Sequence, residues 1–186
     1  MAGLIVPDSA ERPAYRGLPS IFEYTNTDGA LIRTNCGQAA AATFLTHYGK
    51  MLPDTERARQ VMAAIERDYP PDNFGGYLGT SRRRVIQICH AYGVEVRSIA
   101  GEERLLASLK AERPVIVMLG VSAGSLINRF DLPGGHWMVA FGFRRDFVYL
   151  TNYGRMPWAE FRTGWTGWIP RLIQMQGRGL VHSPPT

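Results

Sequence analysis

Apolar residues recur at helical spacing in the first half of the chain and at strand spacing in the second. Gly37, Ala40, Ala41, Phe44, Leu45 and Tyr48 follow an i, i+3, i+4 pattern, which predicts a helix opening at Cys36 and stopped by Gly49. A second helix is expected from about Asp54, with Ala58, Val61, Met62 and Ile65 inward and Pro70-Pro71 ending it. Residues 70–79, bearing Gly75, Gly76 and Gly79, read as a loop. A third helix from about Thr80 would bury Val85, Ile88, Cys89 and Tyr92. Then come a short strand (Val94 to Ile99), a fourth helix (about Glu102 to Glu112) and an apolar strand (Val115 to Leu119). The remainder reads as strands: His136 to Phe143, Phe147 to Asn152, and Trp168 to Met175. Helices first and a mainly antiparallel sheet afterwards is an α+β order. The whole chain, 1–186, reads as one domain, with residues 1–18 an extended N-terminal segment and 176–186 a loose tail.

Composition narrows the class. The length suits one domain with a sizeable core. Hydrophobic residues at 45% and charged residues at 20% describe a globular chain. The longest apolar run, Val115 to Leu119, is far below membrane-span length, so no membrane span is expected. The first residues lack the basic start and apolar stretch of a secretory signal. The expected location is cytoplasmic, or outside the cell by a route that uses no N-terminal signal peptide. The net charge of +5 is spread along the chain without aromatic interleaving, which argues against nucleic acid as a partner. Two cysteines without a Cys-x-x-Cys pair build neither a disulfide framework nor a zinc site, so no metal and no cofactor is expected.

Chemistry concentrates at three positions. Cys36 opens an Ala-rich helix, where unpaired N–H groups and the positive dipole end favour a thiolate and could hold an oxyanion. A buried structural cysteine at a helix start is the competing reading. Cys89, on the apolar face of the third helix, reads as a small hydrophobe. Of four histidines, His47, His90 and His182 have ordinary placements, whereas His136 follows Gly134-Gly135 and opens a strand. A hairpin pairing Phe143 with Phe147 around Arg144-Arg145-Asp146 would set Asn152 opposite Met138, on the face His136 shares. A register one residue different would turn Asn152 to the other face. Nucleophile, base and orienting amide would then stand together.

These segments resemble the papain-like cysteine peptidases, closest to the bacterial peptidases that cut bacteriocin leader peptides after a double glycine. Thr34-Asn35-Cys36-Gly37-Gln38-Ala39-Ala40-Ala41 is similar to their nucleophile helix, and Gly135-His136-Trp137-Met138-Val139-Ala140-Phe141-Gly142 to their histidine strand. Val148-Tyr149-Leu150-Thr151-Asn152 resembles the strand ending in the third catalytic residue, more often Asp than Asn. Arg113 to Val117 is similar to the central strand, and Trp158-Ala159-Glu160-Phe161 followed by Trp165 to the closing segment. The resemblance spans about residues 19–172. It implies a papain-like fold, a peptide or protein substrate, and a catalytic set of Cys36, His136 and Asn152.

One departure stands out. Such peptidases place a Gln several residues before the cysteine to complete the oxyanion hole, and no Gln precedes Cys36. Asn26, Asn35 and Gln38 are the candidate replacements. Loss of such a donor typically costs about 100- to 1000-fold in rate. Glutamine deamidation or acyl transfer of a toxin or effector type, and a non-catalytic binding module, therefore stand beside peptide hydrolysis. Loop 70–79 and residues 122–133 are the expected cleft walls, with Phe74, Tyr77, Leu126 and Phe130 a hydrophobic recognition pocket. Trp137, Trp158, Trp165 and Trp168 read as core.

Overall fold

The structure, a computed structural model, describes residues 35–51, 57–73, 79–120, 135–151, 153–167, 170–171 and 174–183. Helix α1 (Cys36–His47) is buried from Cys36 through Leu45, on every side of its first turns. Such a helix sits inside a protein, and its run of Ala39 to Ala42 lets neighbours approach closely. Helices α2 (Ala58–Asp68) and α3 (Arg82–Ala91) are amphipathic. The first buries Met62 and Ile65, the second Val85, Ile88 and Cys89. Ser81 caps α3 by accepting from the Arg84 N–H, and Asp72 accepts from both the N–H and the hydroxyl of Ser81.

Strand β1 (Val96–Ala100) and helix α4 (Glu102–Lys110) lead into β2 (Val115–Gly120), buried along its whole length. Strands β3 (Gly135–Phe143), β4 (Phe147–Leu150) and β5 (Gly154–Pro157) follow, then helix α5 (Trp158–Trp165) and β6 (Arg178–His182). The strands form one antiparallel sheet in the order β1-β6-β2-β3-β4-β5. Helices cover both of its faces. Ile116, Met118, Trp137, Val139 and Leu180 pack with α1, α2 and α3, while Val115, Val117, Leu119, Met138, Ala140 and Val181 pack with α4 and α5. The expected α+β order of helices on an antiparallel sheet is what the chain adopts.

Three expectations about elements change. The segment 176–186 is no loose tail: residues 178–182 form β6, which lies between β1 and β2 with Leu180 and Val181 buried. A side chain at Gly179 would meet Val115 Cγ1 at 2.3 Å, so the strand docks too closely for anything larger. The strand expected over 168–175 is absent among its described residues, where the Gln174 and Met175 N–H groups donate back to Arg171 and Pro170 as in a tight turn. The segment from Trp158 to Trp165 is a helix whose Trp158, Phe161 and Trp165 pack in the core, the first two edge to face, with ring centroids 5.5 and 5.3 Å apart. Trp137 is also buried, in line with the core reading, and Trp168 lies outside the described residues.

Candidate active site

The β3–β4 hairpin sets the register of the site. Phe143 pairs with Val148, not Phe147, because the Arg144 N–H closes the turn on the Phe147 carbonyl. The register shifts between Ala140 and Gly142, and beyond that bulge Ala140 pairs with Leu150. That is the pairing a Phe143–Phe147 start would have produced at this point, so two offsets cancel. The Thr151 N–H then donates to the Val139 carbonyl at 3.0 Å, and the Thr151 hydroxyl accepts from the Val139 N–H at 3.0 Å. Asn152 lies outside the described residues, as do Asn26, Phe74, Tyr77, Leu126 and Phe130.

Cys36 begins α1, and α1 packs on β3. The N–H groups of Trp137, Gly37 and Cys36 itself hydrogen-bond toward its sulfur. The Trp137 N–H belongs to the peptide that joins His136 to Trp137, so the thiol sits against the backbone of the histidine strand. Trp137 and Val139 face the α1 side of the sheet, and Met138 and Ala140 the α4–α5 side. Alternation gives His136 the parity of Met138. The Trp137 N–H shares the strand edge that the Val139 N–H presents to Thr151, so the sulfur meets the edge of β3 one residue from His136.

Residue 35 occupies the N-cap position of α1 without capping it. Its amide instead donates to a Glu66 carboxylate oxygen on α2. With no side chain closing the first turn, its N–H groups are left to the sulfur. Gln38 turns away from the thiol: its Nε2 donates to the Tyr69 carbonyl at 2.8 Å, and its Oε1 accepts from the Thr80 hydroxyl at 2.7 Å. The two described candidates for a side-chain oxyanion donor, Asn35 and Gln38, are therefore directed at structural partners. Among the described residues, the groups that hydrogen-bond toward the sulfur are backbone N–H.

Burial decides the charge states. It pushes the Cys36 thiol above its ordinary value, more than the three N–H groups pull it down. The helix N-terminus taken alone suggests the opposite direction, and desolvation outweighs it. Burial also lowers His136 from 6.5 to about 4. Near neutral pH the two groups together hold one proton, and that macroscopic statement holds whichever atom carries it. Cys89, wholly buried in α3, is raised to about 12 by burial. Both cysteines are free thiols. Among the described residues no group of His, Cys, Asp and Glu could hold a metal ion, and no helix is long and apolar enough to cross a membrane.

Thr80 was not singled out by sequence reasoning, although it is as buried as the core around it, at 1% exposure. A Cβ on Gly37 would meet the Thr80 Cβ at 2.5 Å, so the glycine after Cys36 is the space Thr80 occupies. Its backbone carbonyl accepts from the Trp137 indole N–H at 2.9 Å. No sequence pattern marks such a residue, because its contacts lie 42 and 57 positions away.

Residues 19–166 match the model of the Peptidase_C39 like family. Among solved structures the chain is similar to the peptidase domain of Streptococcus ComA, a bifunctional ABC transporter involved in a quorum sensing pathway. The identity is 17% and the TM-score 0.59, over 88% of this chain and 99% of that one. It is similar also to a protein from Bacillus anthracis described as a C39-like peptidase, at 16% identity and TM-score 0.57, over 82% and 90% of the two chains. At these identities the likeness is one of fold. A search of curated proteins finds no match.

Proposed function

The chain belongs to the Peptidase_C39 like family, and from that premise we propose that it cleaves a peptide or amide bond through a thioester formed on Cys36. The observation that carries the reading is the Trp137 N–H meeting the Cys36 sulfur, which ties the candidate nucleophile to the strand of the candidate base. The sulfur attacks the substrate carbonyl as its proton passes to His136. The tetrahedral intermediate then collapses, the C–N bond breaks and the leaving amine takes the proton from His136. Water, deprotonated by the same imidazole, hydrolyses the thioester and returns the thiol. The Cys36 N–H stands at the helix start where the oxyanion develops. Asn152 would orient His136; it follows directly on Thr151, whose N–H is bonded to Val139.

Because burial holds the thiol up and the imidazole down, the nucleophile is made in the attack by proton transfer, and His136 is indispensable. Removal of a general base costs about 100- to 10,000-fold. The test is incubation with a proteome-derived peptide library, read by mass spectrometry. New termini at one sequence motif, absent with Cys36→Ala and His136→Ala, are expected; cleavage that survives Cys36→Ala overturns the proposal. The engaged amides of Asn35 and Gln38 favour a second reading, transfer or deamidation on a glutamine side chain. It would show in the same experiment as Cys36-dependent mass changes without new termini.

A further inference from the structure

Four contacts converge on the residues that directly follow the candidate nucleophile and the candidate base. Thr80 fills the space above Gly37, its hydroxyl donates to Gln38, and its carbonyl holds the Trp137 indole. Gln38 is anchored in turn on the Tyr69 carbonyl at the end of α2. Gly37 and Gln38 are the first residues of α1 beyond Cys36, and Trp137 is the residue beyond His136. Thr80 touches neither the thiol nor the imidazole in any of these contacts. It pins the turn that carries one to the strand that carries the other.

Its own position is fixed from behind. Asp72 grips the N–H and hydroxyl of the next residue, Ser81, at 2.8 and 2.7 Å, and the Asn73 N–H donates to the Gly79 carbonyl at 3.0 Å. A threonine held this firmly transmits its position instead of adapting to its neighbours. The bond to Gln38 and the one from Trp137 both lie in a buried setting, where a hydrogen bond is stiff and its loss leaves a polar atom unsatisfied.

The geometry points to Thr80 as a positioning residue: the Gln38–Thr80–Trp137 bridge sets the separation of Cys36 and His136 and so controls whether the proton can pass between them. This rests on the reading of Cys36 and His136 as nucleophile and base. Proton transfer between heavy atoms is steep in distance, and a displacement of about 1 Å can cost about 100-fold. The β-methyl of Thr80 packs against Gly37 and the hydroxyl orients Gln38, so Thr80→Val keeps the shape and removes only the donor, whereas Thr80→Ser keeps the donor.

The probe is iodoacetamide, followed by mass mapping of Cys36 between pH 5 and pH 10 in a Cys89→Ala background. The His136→Ala variant is expected to label at least about tenfold more slowly than the parent at pH 7. Thr80→Val is expected to fall to the rate and pH profile of His136→Ala, and Thr80→Ser to stay within about twofold of the parent. A Thr80→Val protein that melts earlier but keeps the parent's His136-dependent profile overturns the inference, since a merely structural role would do just that. If Thr80→Val does not fold, Trp137→Phe removes the other half of the bridge and must shift the profile in the same direction; an unchanged profile there overturns it too. Labelling of His136→Ala as fast as the parent would instead sink the underlying reading, and this inference with it.

Discussion

A histidine buried as neutral imidazole makes the protein sensitive to acid in a calculable way. His136 is 6% exposed, and burial brings it from 6.5 to about 4. Between those values the unfolded chain takes up a proton that the folded chain refuses, so unfolding grows easier as pH falls. Each pH unit in that window costs about 1.4 kcal/mol. Integrated from neutral pH down to pH 4, His136 alone should remove about 3 kcal/mol, a large share of an ordinary domain's stability. Above pH 6.5 it contributes no slope. The perturbation is His136→Gln, which keeps a polar side chain and cannot titrate. The assay is urea unfolding of both proteins at pH 7 and pH 4, where carboxylates common to both cancel in the comparison. The stability of the native protein should drop relative to the variant by about 3 kcal/mol. A difference that stays constant between the two pH values would refute the buried neutral imidazole, and with it the proton count assigned to the pair.

Two further outcomes follow from packing. Leu180→Ala in β6 should cost about 2–5 kcal/mol in the same urea assay, because Leu180 is fully buried beside Ile116; a cost near zero would mean that the segment is not part of the sheet. Gly37→Ala pits a helix-propensity gain of up to about 1 kcal/mol against overpacking onto Thr80 at about 1–3 kcal/mol. The clash involves a Cβ and not a flexible tip, so net destabilisation is expected by thermal unfolding, and a stabilised variant would contradict the close approach.

What could be read from the sequence divides along local and non-local lines. Helix α1 is legible because its small residues and its glycine stop are local signals, and β3 because a glycine pair leads through His136 into the apolar residues Trp137 to Phe141. Strand β6 is not, since its short Arg178–His182 stretch carries a glycine and gains its meaning only from pairing with β1 and β2. Helix α5 is not legible as a helix although Trp158, Phe161 and Trp165 recur at i, i+3, i+7, because that spacing marks core packing over too short a stretch to single out a helix. The hairpin shows a subtler failure: a bulge is invisible in an alternation pattern, and the Ala140–Leu150 pairing came out as expected only because the turn offset and the bulge compensate. At the site, Cys36 and His136 stood out by residue type and context. The direction of the thiol shift did not, because a helix terminus is a local feature and burial is a property of the whole fold. Thr80 reads in the sequence only as a helix start, and nothing local marks its contacts with Gln38 and Trp137.

The central claim is that Cys36 forms a covalent acyl intermediate with help from His136. The direct measurement is reaction with p-nitrophenyl acetate at pH 7, with the acylated residue located by peptide mass mapping and its thioester character checked by release with hydroxylamine. The account predicts a single hydroxylamine-sensitive acetyl group on Cys36, formed in a rapid burst, absent in Cys36→Ala and slowed by about 100-fold or more in His136→Ala. Acylation that spares Cys36, or that proceeds on it equally fast without His136, would contradict the account.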